Sequence, residues 1–173
     1  MKYILALVLW PASPAAAEVV SADAHAFEVR YSAQVKAPAQ AAWDSFSKIG
    51  KWWSPAHSYS GDASNLSLTP VPGGCFCERI WDKGGVEHLR VALALPPKRL
   101  VMTGSLGPLL YEAVAGVMDV KFEEANGGTT VSVNYRASGF VHANAADIAK
   151  AVDSVLGEQV ARFARYAGTT APK

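Results

Sequence analysis

Cys75, Cys77, Arg79, His88 and Arg90 fall on two apolar runs, Cys75 to Trp81 and Val86 to Leu95, that flank Asp82-Lys83-Gly84-Gly85. Glycines at that place supply the positive φ of a tight hairpin turn, so the runs are expected to pair as antiparallel strands. With Trp81 opposite Val86, Arg79 faces His88 and Cys77 faces Arg90, which puts all five polar or sulfur-bearing side chains on one face. The opposite face carries Phe76, Glu78, Ile80, Glu87, Leu89, Val91 and Leu93.

Several chemistries compete for these residues. Cys75, Cys77 and His88 could hold a soft metal, with His57 from the preceding loop as a fourth ligand. The C-x-C spacing and two flanking arginines oppose that, and no metal or other cofactor is expected. In an exported chain two cysteines can also form a disulfide, yet side chains at i and i+2 of a regular strand stand too far apart, so that bridge needs a bulge or turn. Burial as small apolar residues is the third option. Cys77 beside His88 would also supply the two members of a thiolate nucleophile and its base.

The more apolar hairpin face is expected to point inward, which buries Glu78 and Glu87. A buried carboxylate needs a partner or a raised pKa, and either makes it a group that grips or protonates a ligand; Glu87, beside the turn, is placed in water. The candidate ligand-contacting residues are Trp53, His57, Tyr59, Glu78, Met102 and Tyr135. Of the adjacent Trp52 and Trp53, one belongs in the core and the other at a pocket lip, because neighbours on a helical turn cannot share a face. Gly104 to Pro108 lacks the Lys-Ser/Thr of a phosphate-binding loop and opens no helix.

The elements that position these residues can be read from periodicity. Phe27, Val29, Tyr31, Ala33 and Val35 alternate with polar residues as in a half-buried strand. After Pro38, Ala42, Trp43 and Phe46 recur at helical spacing, and Ile49 to Trp53 make one more turn before Ser54-Pro55. His57 to Gly74 is a polar loop in which only Leu66 and Leu68 alternate. Arg99 to Thr103, Val114 to Phe122 and Thr129 to Ala137 are further strands. The last element, Ala145 to Tyr166, aligns Ile148, Val152, Val155, Leu156, Gln159 and Phe163 on one stripe, with Asn144 as its cap. The expected class is α+β: six or seven antiparallel strands curved around a long C-terminal helix, with two short helices after the first strand.

Length and charge narrow the function. The 173 residues suit one domain. Residues 1–17 resemble a secretory leader: Lys2, an apolar run from Tyr3 to Trp10, and Ala15-Ala16-Ala17 before a cut at Glu18. The expected location is therefore periplasmic or secreted, with 18–26 a flexible lead-in, 27–167 the domain and 168–173 a tail. The apolar run is too short to span a bilayer. Lys and Arg number 16 against 15 acids, and loss of Lys2 with the leader balances them; with no basic cluster, nucleic acid is excluded as a partner.

Four strings, "APAQAAWDSFSKIGKWWSP", "PGGCFCE", "LALPPKRLVMTG" and "VDSVLGEQVARFARYA", together resemble the START-like or SRPBCC superfamily, which includes polyketide cyclases, lipid-transfer domains and homologues of heat-shock-protein ATPase activators. The resemblance spans Phe27 to Tyr166 and implies the helix-grip fold, with a cavity between sheet and helix for a hydrophobic small molecule or lipid. It transfers no catalytic residues. A binding module is the first expectation; a cyclase, hydratase or hydrolase using Glu78 or His88 is the second, and a periplasmic metal binder is the third.

Overall fold

The computed structural model describes residues 16–82, 84–125, 127–140 and 142–169. Its strands are β1 (Ala16–Ala22), β2 (Ala26–Val35), β3 (Leu66–Leu68), β4 (Cys75–Ile80), β5 (Gly84–Leu95), β6 (Arg99–Thr103), β7 (Ala115–Ala125) and β8 (Gly128–Ser138), and its α-helices are α1 (Ala39–Ser47) and α2 (Ala145–Thr169). The strands form one antiparallel sheet in the order β1-β2-β8-β7-β6-β5-β4-β3. The sheet curves around α2, as the α+β reading requires.

Seven of the eight strands coincide with expected runs. The eighth, β1, occupies a segment read as a leader end and flexible lead-in; it pairs with β2 from Ala16↔Ser32 to Ala22↔Phe27. Its residues 18–22 are exposed, so burial imposed no alternation that the sequence could display. Residues 1–15, which hold most of the leader-like stretch, lie outside the described residues, as do residues 170–173 of the expected tail. Among the described residues no helix is long and apolar enough to cross a membrane.

The core is the meeting of α2 with the inner sheet face. Phe27, Val29, Tyr31, Ala33 and Val35 of β2 are all buried, as their alternation predicts. Phe163 on α2 packs edge-on against Phe46 and Trp52, with ring centroids 5.2 and 5.4 Å away, and Phe46 stacks edge-on against Phe122 of β7. The Tyr31 hydroxyl donates to Asp153 Oδ1 at 3.0 Å, tying β2 to the middle of the helix, and burial pushes its pKa far up. Asn144 caps α2 by accepting from Ala146 N at 2.9 Å.

The apolar stripe of α2 divides in two. Leu156, Gln159 and Phe163 are buried as expected, whereas Ile148, Val152 and Val155 are only half-buried, because the first half of the helix stands over a cavity.

The hairpin departs from its expected register. Cys75 pairs with Arg90 and Phe76 with Leu89, but Cys77 pairs with Glu87, so β5 holds one extra residue, His88, in a β-bulge. The bulge resets the alternation: His88 and Leu89, adjacent in sequence, are both buried, and Glu87 turns outward to pair with Arg90. Cys75 and Cys77 are joined by a disulfide, with Cα atoms 5.4 Å apart. Two residues of regular strand span about 6.6 Å, so the bridge contracts β4 at the step where the register shifts. The Cys75→Ser, Cys77→Ser double variant is expected to lose about 1–2 kcal/mol in urea unfolding, since the covalent loop is very short.

Candidate ligand-binding site

A cavity of about 440 Å³ lies between the first half of α2, the Trp53–Tyr59 loop, the 106–112 stretch and β5. Ile148, Val152, Val155 and Leu156 form its helical wall, and Leu106, Pro108 and Leu109 face them. Trp53 closes the loop side; the polar lining comes from His57, Ser58, Tyr59, His88 and Glu112.

Each wall is fixed by hydrogen bonds from a neighbouring element. Gln159, buried on α2, accepts from Ser54 N at 2.7 Å, and Arg162 donates from Nε to Trp52 O at 2.8 Å. These contacts clamp the loop to the helix. Trp53 Nε1 donates to His57 O at 2.8 Å, which seats the indole, and His57 Nε2 lies 3.0 Å from Glu158 Oε2 at the exposed rim. On the opposite wall the Tyr135 hydroxyl donates to Gly104 O and accepts from Leu106 N, both at 3.3 Å. Burial pushes the Tyr135 pKa up to about 12. Gly116 makes room for this ring: a Cβ there would stand 2.6 Å from the Tyr135 hydroxyl.

The polar centre of the site is Glu78 with His88. Glu78 is 2 % exposed and His88 5 % exposed. Glu78 accepts from Tyr59 N at 3.1 Å and Ser60 N at 2.6 Å, and its Oε2 lies 3.1 Å from His88 Nε2. Burial would raise the Glu78 pKa, but the bonds from Ser60, Tyr59 and His88 outweigh it and hold the carboxyl below its ordinary value. Burial lowers the His88 pKa more than Glu78 raises it. The pair is therefore a carboxylate and a neutral imidazole. The His88 ring lies against Phe76, 4.7 Å between centroids, and near Tyr59, at 5.9 Å. Its Nδ1 is buried and has no hydrogen-bond partner among the described residues.

Of the six residues named from sequence as ligand contacts, Trp53, His57 and Tyr59 line the cavity. Glu78 stands behind the wall and orients His88. Met102 and Tyr135 do not line it: Met102 is 1 % exposed in the core of β6, and Tyr135 braces the 104–106 backbone from within. The metal-ligand set does not assemble either. Both thiols are consumed by the disulfide, and the bulge carries His88 to the inner face, bonded to Glu78. Glu87 lies within 4.8 Å of both sulfurs, but no thiolate remains there and its carboxylate pairs with Arg90. A Cys77 nucleophile is excluded in the same way. The 106–112 stretch was missed, and Ile148, Val152 and Val155, placed on the apolar stripe of α2, were not named as ligand contacts although they line the cavity.

Fold and site together define a helix-grip domain with a walled, mostly apolar cavity. Among solved structures, a protein from Rhizobium leguminosarum matches with a TM-score of 0.59 at 18% identity, over 91% of this chain and 99% of that one. An AHSA1-like protein from Aeromonas hydrophila matches with a TM-score of 0.52 at 19% identity, over 82% and 92%. The di-domain ARO/CYC StfQ from the steffimycin biosynthetic pathway gives 0.56 at 15% identity, over 84% of this chain and 50% of that one. At such identities the likeness establishes a shared fold. No protein-family model matches the chain, and no curated protein does.

Proposed function

We propose that this domain binds an apolar small molecule or lipid in the cavity between α2 and the sheet. The observation that carries the proposal is the half-buried row Ile148, Val152 and Val155, which lines about 440 Å³ of space on the apolar face of α2. A pocket of this size, lined by aliphatic groups with a few polar ones, is the usual form of a small-molecule site. The expected result in native mass spectrometry of the purified protein is an apolar adduct that leaves on denaturation; the bare chain mass after incubation with a lipid extract would count against the reading.

A second reading, turnover of that molecule, is favoured by the Glu78–His88 pair, since a neutral imidazole oriented by a carboxylate can take a proton. It draws support from the ARO/CYC name of one structural neighbour. Export belongs to the proposal through residues 1–17; cleavage before Glu18 would leave Glu18–Ala22 of β1 in place on the sheet edge.

A further inference from the structure

We propose that His88 makes the cavity selective for an apolar molecule that presents a hydrogen-bond donor, a hydroxyl or N–H, to its Nδ1; this rests on the cavity reading above. The Glu78 carboxylate takes bonds from Tyr59 N and Ser60 N and meets His88 Nε2 at 3.1 Å. An ionised carboxylate only accepts, so Nε2 carries the ring proton. Neutral imidazole has a single such proton, which leaves Nδ1 with a lone pair and nothing to donate.

That atom is buried without a partner among the described residues, on a residue that lines the cavity. Buried polar atoms are normally satisfied, and the groups around the ring do not serve: Phe76 covers it as an apolar ring and Glu78 holds the other nitrogen. Glu112, also lining the cavity, offers no donor when ionised. A ligand hydroxyl supplies what is missing. A ketone, ether or carboxylate of the same shape sets lone pair against lone pair and is disfavoured.

The test compares 2-naphthol with 2-methoxynaphthalene, which share the apolar rings and differ in the donor, by titration calorimetry on the full chain. The wild-type protein is expected to bind 2-naphthol about tenfold more tightly, the worth of one buried hydrogen bond. In His88→Phe the two affinities are expected to converge to within about twofold. Equal affinities in the wild type would overturn the donor selectivity and leave the cavity reading standing, and binding of neither probe would overturn both. A preference that persists in His88→Phe would place the contact elsewhere and also overturn it. Should that variant fail to fold, the ¹⁵N resonance of His88 Nδ1 decides. It is expected to move with saturating 2-naphthol and to stay with 2-methoxynaphthalene; no movement with 2-naphthol overturns the assignment.

Discussion

Replacing Glu78 with leucine is expected to cost about 3–5 kcal/mol of folding stability, because one carboxylate serves three buried or half-buried donors. Tyr59 N, Ser60 N and His88 Nε2 all lose their acceptor in the variant. Glu78→Gln keeps one carbonyl oxygen and is expected to cost less, about 1–3 kcal/mol, as it turns an amide N–H toward a donor. Urea unfolding of both variants at neutral pH measures the difference; a loss below about 1 kcal/mol for the leucine variant would contradict the arrangement. The same pair sets an acid limit. His88 has a lowered pKa, so its contribution is whole above its ordinary 6.5 and declines as pH falls below it. Glu78 is also lowered, so its contribution is whole above 4.5 and is lost as pH falls through the folded-state value. Wild-type stability is expected to fall in both stretches, and Glu78→Leu to lack the lower one.

Val152→Trp is expected to weaken binding of N-phenyl-1-naphthylamine at least tenfold, about 1.4 kcal/mol, with little change in folding. Val152 lies midway along the cavity face of α2, a turn from Ile148 and beside Leu156. The larger ring would enter existing space, so the strain of overpacking a filled core does not arise. Stability is expected to stay within about 1 kcal/mol of wild type. Unchanged affinity would place the probe elsewhere.

The sequence made the sheet legible wherever one face is buried. In β2 and β8 the side chains alternate without interruption, and every inward assignment from Phe27 to Val35 is borne out. The hairpin from Cys75 to Leu95 was legible as a hairpin but not in register. One extra residue, His88, exchanges the faces of everything before it on β5, and no composition signal marks which residue of a strand will be skipped. The turn is also tighter than expected, with Ile80 opposite Gly84 and Arg90 opposite Cys75, and the two departures together separate a five-residue polar face from a buried Glu78–His88 pair. The sequence left a Cys75–Cys77 bridge open beside burial and metal binding, and tied such a bridge to a bulge or turn at the cysteines; the bridge forms, and the extra residue lies on the partner strand β5.

Gln159 gave a signal of another kind. A polar residue on an apolar stripe implies a buried partner, and that partner is the backbone of Ser54. The 106–112 wall offered no such sign: its glycine and proline read as loop, and its position over α2 comes from the Tyr135 hydroxyl, a contact 29 residues distant in sequence.

The most direct measurement of the central claim is a set of intermolecular NOEs between N-phenyl-1-naphthylamine and the methyl groups of the protein. Cross-peaks to Ile148, Val152, Val155 and Leu109 are expected, with saturation at one probe per chain. Cross-peaks confined to exposed apolar residues such as Val71 and Leu95, or none at saturating probe, would contradict it.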